Sequence, residues 1–357
     1  MNERSLFYTG VRAAVVLTLI VIILGAYVRL SDAGLGCPDW PGCYGRLLAP
    51  TQAVQVELAN EAFPERPVEV GKAWKEMVHR YAAGILGLVV LMLAVLAWRG
   101  RRLAGQPVVL PMALLGLIIF QSALGLWTVT LQLKPIIVMA HLLGGFATLV
   151  LLWLLVLATR RQAEAGAHAG KVVPALHRRA MPWAGLAAVV LVVQIALGGW
   201  TSANYAALVC PDLPTCQQQW WPQMDFREGF VLWREVGMDY EFGILDTPAR
   251  TAIHVTHRIG AVITTVAVGG LALLLLWRGQ GAIRSAAAGV LVLLGIQVGL
   301  GISNIAFHLP LPVAVAHNAV AALLLLSVVT LIHFLRRPVA QVAAARVGID
   351  AVTARMA

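Results

Sequence analysis

The chain has 357 residues, of which 59% are hydrophobic and 12% are charged, and its mean hydropathy is +0.79. This composition is too apolar for a soluble globular protein and predicts an integral membrane protein. The net charge of +10 could suggest a nucleic-acid partner. The basic residues, however, cluster at the ends of apolar segments, so the expected partner is the lipid bilayer and not nucleic acid.

Eight apolar segments are each about 20 residues long, which is enough for a helix to cross a bilayer. Strands of a membrane β-barrel would be half as long and would alternate apolar and polar residues. The sequence therefore predicts an all-α integral membrane protein. The predicted spans cover residues 11–28, 77–98, 109–129, 136–159, 181–201, 251–277, 284–302 and 311–334.

Basic residues follow or precede these spans at alternate membrane faces. By the positive-inside rule those faces are cytoplasmic, which predicts cytoplasmic amino and carboxyl termini and two long outer loops, residues 29–75 and 202–250. The basic residues are Arg4, Arg12, Arg99, Arg101, Arg102, Arg160, Arg161, Lys171, Arg178, Arg179, Arg278, Arg284, Arg336 and Arg337.

All four cysteines fall in the two outer loops, as Cys37 with Cys43 and Cys210 with Cys216. An outer compartment permits disulfides. The equal spacing favours one local disulfide in each loop, while cross-pairing and a redox-active dithiol remain open alternatives.

The two halves of the chain repeat each other. An offset of 173 residues aligns Leu24-Gly25 with Leu197-Gly198, and Cys37-Pro38-Asp39 with Cys210-Pro211-Asp212. This predicts a duplicated four-helix unit. An even number of spans per unit makes the repeat parallel, with a pseudo-twofold axis along the membrane normal.

The predicted organisation is an amino-terminal half at residues 1–160, a cytoplasmic linker at 161–180, a carboxy-terminal half at 181–335 and a cytoplasmic tail at 336–357. Two histidines of the linker, His168 and His177, are expected to be solvated. Spans three, five and seven also share a glutamine four residues before a glycine, which is expected to bridge packed helices. These glutamines are Gln121, Gln194 and Gln297.

Four histidines begin the even-numbered spans, all of which run from outside to inside. They are His79, His141, His257 and His317. Matched positions predict one shared depth near the outer leaflet. Neutral imidazole is the usual axial ligand of haem iron, and two facing helices of one four-helix unit could each supply one. The expected pairs are His79 with His141 and His257 with His317.

Metal sites without a porphyrin fit the histidine pattern less well than haem does. A zinc or copper ion would be short of ligands with two imidazoles, and a di-iron site needs inward carboxylates that the spans lack. Two further functions remain alternatives: a dihaem b-type quinol electron-transfer protein and a non-enzymatic duplicated membrane transporter.

The histidine motifs also contain charged neighbours. Arg80 and Arg258 directly follow their histidines, and they either snorkel to lipid headgroups or pair with haem propionates. An offset of 178 residues places Glu76 opposite His254, which is expected to be structural. Glu76 is either an interfacial glutamate in water or a proton acceptor or cation stabiliser. The second interpretation makes the amino-terminal half the reaction site and the carboxy-terminal half an electron relay.

The motif Glu76-Met77-Val78-His79-Arg80, together with His141, His257-Arg258 and His317, resembles the haem A synthase family over essentially the whole chain. The resemblance implies oxidation of the C8 methyl group of haem O to the formyl group of haem A through a hydroxymethyl intermediate. It implies that His257 and His317 ligate a haem b, that His79 and His141 flank the substrate haem, and that Glu76 is the catalytic carboxylate.

The resemblance further implies a multi-pass protein of the bacterial inner membrane that takes part in cytochrome oxidase assembly. Its expected partners are the membrane enzyme that makes haem O and an electron acceptor, and a homo-oligomer is an open alternative. Cysteine pairs occur in only part of the family, so both a structural and a redox role stay open for them.

Overall fold

The computed structural model describes residues 3–164, 171–172, 174–336 and 339–340. Within these residues, eight helices are long and apolar enough to cross a membrane, which confirms the predicted helical membrane class. They are α1 (Glu3–Leu30), α3 (Val70–Arg99), α4 (Val109–Thr130), α5 (Pro135–Glu164), α6 (Ala175–Ala203), α8 (Thr247–Arg278), α9 (Gly281–Ala306) and α10 (Leu311–Leu335).

Shorter elements lie between these helices. The first loop, residues 31–69, contains α2 (Ala53–Ala62), and the second loop, residues 204–246, contains α7 (Phe226–Gly229). Two-residue strands β1 (Lys171–Val172) and β2 (Val339–Ala340) pair antiparallel, so the all-α prediction missed one small ladder.

Local sequence signals explain where several helices begin and end. The carboxylate of Asp246 accepts a hydrogen bond from the amide of Ala249 at 3.0 Å, which caps the start of α8. Proline is the first residue of α5, a position where its missing N–H costs no hydrogen bond. Gly100 follows the last residue of α3 and Gly279 follows the last residue of α8.

Two helices begin earlier than predicted. The helix α3 begins at Val70, seven residues before the predicted start at position 77, and α8 begins at Thr247 where position 251 was predicted. The early turns of α3 carry Lys72 and Lys75 and therefore give no apolar signal. As a result, His79 and His257 lie about three turns into their helices, deeper than the first turns that the sequence predicted.

The spanning helices pack as two sets. In the first helix set, α1 contacts α3 and α5, and α4 contacts α3 and α5. In the second helix set, α6 contacts α8 and α10, and α9 contacts α8 and α10. The sets meet where α1 packs on α10 and α5 packs on α6 and α10. Each set has a buried apolar core, built around Leu93 and Leu152 in the first and around Leu275 and Leu324 in the second.

Large apolar side chains also cover the outside of the helices. Leu88 is 68% exposed, Val266 is 69% exposed and Val193 is 54% exposed. Such continuous apolar surface is unfavourable in water and is stable against lipid chains. The chain is therefore a multi-pass membrane protein.

Two spanning helices extend into the predicted linker. The helix α5 runs to Glu164 and α6 begins at Ala175, so both enter the predicted linker at 161–180. The prediction that His177 is solvated is wrong, because it lies in α6 with 8% of its surface exposed. The other linker histidine, His168, and most of the predicted tail at 336–357 lie outside the described residues.

The second loop reaches across to the first helix set. Arg66 of the first loop forms ion pairs with Asp239 at 2.6 Å and with Glu241 at 2.7 Å. The amide of Tyr240 donates to the carbonyl of Gln132, between α4 and α5, at 3.1 Å. The loop that precedes α8 is therefore held over the end of the other set.

We expect Arg66→Gln to loosen this crossing. Partly exposed ion pairs are each worth about 1 kcal/mol or less, so losing both should speed hydrogen exchange in residues 233–241 by about fivefold without unfolding the helices. Arg46→Gln is the matched control, because Arg46 is an exposed arginine of the first loop that forms no ion pair among the described residues. Equal exchange in the two variants would contradict the role given to Arg66.

Candidate functional site

Both loops are closed by a local disulfide, which confirms the predicted pairing. Cys37 bonds Cys43 with their Cα atoms 4.8 Å apart, and Cys210 bonds Cys216 with their Cα atoms 4.6 Å apart. The cross-paired alternative is therefore wrong.

An aspartate organises each disulfide loop in the same way. The carboxylate of Asp39 accepts from the amides of Tyr44 at 2.6 Å and Gly45 at 2.7 Å. The carboxylate of Asp212 accepts from the amides of Gln217 at 2.6 Å and Gln218 at 3.0 Å. The Thr215 hydroxyl, followed by these two amides, holds the pKa of Asp212 below its usual value. The repeated Cys-Pro-Asp sequence thus encodes one loop structure twice.

The two arginines of the histidine motifs anchor these loops. Arg80 donates to the carbonyl of Asp39 at 2.8 Å and also to that of Gly42. Arg258 donates to the carbonyl of Thr215 at 2.8 Å and to that of Cys210 at 2.7 Å. This anchoring role could not be predicted from the sequence, because the return of each loop onto its helix is a long-range contact.

Glu76 is buried, with 5% of its surface exposed. One carboxylate oxygen lies 2.5 Å from Nη2 of Arg80, and the other accepts from the amide of Cys37 at 2.9 Å. The alternative of an interfacial glutamate in water is therefore wrong. In the second helix set the corresponding position holds His254, which is also buried and whose Nδ1 has no hydrogen-bond partner.

Each of the four motif histidines packs against a glycine of the neighbouring helix. A methyl group placed on the glycine would lie 3.0 Å from Cε1 of His79, 3.7 Å from that of His141, and 3.2 Å from those of both His257 and His317. The glycines are Gly25, Gly125, Gly198 and Gly301, on α1, α4, α6 and α9. The absence of a side chain at these positions makes room for the imidazole rings.

The glutamines of the repeated pattern contact the same histidines. The Gln194 amide nitrogen lies 3.0 Å from Nδ1 of His257, and that of Gln297 lies 3.2 Å from Nε2 of His317. The Gln121 amide instead donates to the backbone carbonyl of His141 at 2.9 Å. The predicted bridging of packed helices is present in all three cases.

The structure brings the histidines together in the expected pairs. His79 is close enough to His141, and His257 to His317, for each pair to interact electrostatically. Nδ1 of His79, His141 and His317 is buried without a hydrogen-bond partner, and a buried polar atom of this kind is suited to a ligand. His257 has its Nδ1 engaged by Gln194, which leaves Nε2 for a metal.

These donor sets fit a haem better than a bare metal ion. Among the residues that the structure describes, no group of three or more histidine, cysteine or acidic side chains converges on one point. A zinc or copper site would need such a group. A porphyrin supplies four iron ligands itself and needs only the two axial imidazoles.

The fold and this site define the class: a multi-pass helical membrane protein with paired imidazoles beneath disulfide-closed loops. Residues 10–329 match the family of cytochrome oxidase assembly proteins, COX15-CtaA. The chain is 47% identical to the haem A synthase of Shewanella oneidensis over 91% of this chain and 95% of that protein. The chain therefore belongs to the haem A synthase family.

More distant relatives span the same length. The chain is 28% identical to the haem A synthase of Methylobacterium radiotolerans over 85% of this chain and 83% of that protein. It is 26% identical to that of Caulobacter vibrioides over 91% of this chain and 94% of that protein. The similarity therefore extends over both helix sets.

We expect Gly25→Ala to destabilise the protein and Gly125→Ala to leave it at least as stable as the wild type. Alanine favours a helix by about 1 kcal/mol over glycine at both sites. Only at Gly25 does the added methyl group press on an imidazole, which should cost about 1 to 3 kcal/mol. Thermal unfolding in detergent measures the difference, and equal melting temperatures would contradict the close contact with His79.

Proposed function

We propose that the first helix set holds haem O between His79 and His141 and that Glu76 is the carboxylate that promotes oxidation of its C8 methyl group. The product is the formyl group of haem A, reached through a hydroxymethyl intermediate, as in a haem A synthase. The observation that carries this proposal is the buried carboxylate of Glu76 on α3, one helical turn before His79.

The overall arrangement that we propose is two four-helix halves, residues 1–160 and 181–335, related by a pseudo-twofold axis along the membrane normal. Its support is the repetition of contacts from set to set. The same helix contacts, the same disulfide loop, the same arginine anchor and the same glycine–histidine contact occur in both.

We place both termini in the cytoplasm of a bacterial inner membrane and both disulfide loops on its outer face. Arg99 and Arg278 end α3 and α8 at the side opposite the loops, as the positive-inside rule requires of a cytoplasmic face. The oxidised cysteines agree with an outer compartment.

The resident cofactor in this proposal is a haem b with His257 and His317 as its axial ligands. His257 lies on α8 and His317 on α10, close enough to interact electrostatically, and the Gln194 amide helps to fix the orientation of His257. When bound there, haem b would supply one-electron transfer and act as the electron relay for the first helix set.

The role of Glu76 follows from its burial. Removing a proton and two electrons from the substrate methyl group, with the electrons passing to the electron acceptor, leaves one positive charge on that carbon. A carboxylate in a low-dielectric site stabilises such charge far better than water does. The same group can take a proton from an attacking water molecule. Arg80 and the Cys37 amide hold the carboxylate in place for either task.

We further propose that the chain receives haem O within the bilayer from the membrane enzyme that makes it. A porphyrin with a long apolar tail stays in the lipid phase, so direct transfer avoids water. The disulfides serve at least to hold the loops, because Arg80 and Arg258 bind carbonyls that the closed loops present.

We expect Glu76→Gln to slow haem A formation by about 30- to 1,000-fold, the effect of losing about 2 to 4 kcal/mol of electrostatic stabilisation. Haem O or the hydroxymethyl intermediate should accumulate in haem extracts of cells that supply haem O. Glu69→Gln, at the exposed start of α3, is the matched control. Mass mapping should still find Cys37 bonded to Cys43 in both variants.

If the Glu76→Gln variant formed haem A at the rate of the wild type, Glu76 would have no role in catalysis. Extracts without any formyl haem from the wild type would instead favour an electron-transfer protein or a transporter over a synthase.

We expect His257→Ala and His317→Ala to lose the low-spin b-type optical spectrum of the purified protein. His79→Ala should keep that spectrum, because its ring lies in the first helix set. His254→Ala is the control within α8, because it removes a buried imidazole that we do not assign to iron. Loss of the spectrum in His79→Ala alone would reverse the assignment of the two sites.

A further inference from the structure

Lys134 is a buried cation without a counter-ion. It has 1% of its surface exposed, and its Nζ has no hydrogen-bond partner among the described residues. Nζ lies 3.8 Å from the centre of the Trp233 ring, which the second loop places over it. The ring of Trp233 stabilises the ammonium group on the side that faces the ring. It supplies no oxygen acceptor for the three N–H donors of that group. A desolvated ammonium group in this state is unfavourable unless an anion binds it.

The position of Lys134 relates it to the substrate site of the first helix set. Its backbone carbonyl accepts from the amides of Ile137 at 2.9 Å and Val138 at 3.1 Å, so it stands at the start of α5. His141 follows seven residues later. Seven residues are two helical turns, which put positions 134 and 141 on the same face about 10 Å apart along the axis.

Three arginines at the same end of the helices already have protein partners. Arg80 is held by Glu76 and by loop carbonyls, and Arg66 is paired with Asp239 and Glu241. Arg29 donates to the carbonyl of Ser202 at 2.6 Å and stacks on the Tyr205 ring. Lys134 thus differs from these arginines in having no protein oxygen to bind.

The second helix set has no equivalent of Lys134. The offset of 176 residues that relates His141 to His317 places Pro310 at the corresponding position. A cation at this position is therefore not required by the loop structure or helix packing that the two sets share. Lys134 is instead specific to the first helix set, which also contains Glu76.

We propose that Lys134 binds a carboxylate of the substrate, namely a propionate group of the porphyrin held between His79 and His141. This inference rests on the proposed function. A porphyrin is the anion-bearing ligand expected on this face. If its iron lay level with His141 and its propionate edge faced the outer end of the helices, a carboxylate would come within reach of Lys134, because the two positions are about 10 Å apart along the axis. Trp233 closes the site from the loop side and keeps water from the ion pair.

The test compares haem O with its dimethyl ester, which has the same ring and tail but no carboxylates. The full chain with its haem b is titrated with each ligand in detergent, and the Kd is read from the optical difference spectrum. We expect the wild type to prefer haem O, and Lys134→Met to weaken haem O by about 10- to 100-fold while leaving the ester unchanged. Lys134→Arg should retain most of the preference.

Lys72→Met, at the outer end of α3, is the matched control and should bind both ligands as the wild type does. An unaltered haem b spectrum shows that each variant is folded. A wild type that binds both ligands equally would overturn the proposal, even if Lys134→Met does not fold. So would an unchanged preference in Lys134→Met.

A lipid phosphate is the other source of an anion. If anionic vesicles, and not haem O, raise the melting temperature in a manner that depends on Lys134, the lysine binds lipid and the inference is wrong. The proposed function fails separately, if the wild type makes no haem A from haem O. If the wild type forms haem A but Lys134→Met keeps the preference for haem O over the ester, the proposed role of Lys134 is wrong and the proposed function still stands.

Discussion

The contact between a glycine and an imidazole on neighbouring helices is the constraint on which the site depends. Helices in a bilayer gain little from burying apolar side chains, because lipid is as apolar as leucine, so close packing through small residues supplies much of their association. Here the small residue also makes space for a functional ring. The contact joins α1 to α3, α4 to α5, α6 to α8 and α9 to α10. The residues that pack the helices therefore also orient the histidines.

The glutamines divide the four imidazoles into two kinds. In the second helix set, Gln194 and Gln297 place an amide nitrogen beside a ring nitrogen. In the first set, the Gln121 amide bonds the backbone carbonyl of His141 and not its ring. A side-chain amide beside a ring nitrogen helps to fix the orientation of a ligand ring. The second set therefore orients its imidazoles with side-chain amides that the first set does not use in this way.

The sequence predicted the features that are local or periodic. The eight spans follow from apolar length, and the two disulfides follow from equal cysteine spacing. The starts of α3 and α8 were placed late because their outer turns are polar. The roles of Arg80 and Lys134 were missed, since each depends on a loop that folds back from a distant part of the chain. Leucine precedes each of the four contacting glycines, Gly25, Gly125, Gly198 and Gly301, but spacing alone did not connect a glycine to a particular ring.

The structural features that the two helix sets share cannot explain a difference in their function. They share the disulfide loop, its aspartate, the arginine anchor and the glycine contact, so none of these accounts for different chemistry. Two of the differences concern charge: Glu76 stands where the second set has His254, and Lys134 stands where it has Pro310. Both charges are buried, where electrostatic interactions are stronger than in water. Within our proposal, these two buried charges adapt the first set to a charged substrate, whereas the second set has neither of them and holds the cofactor.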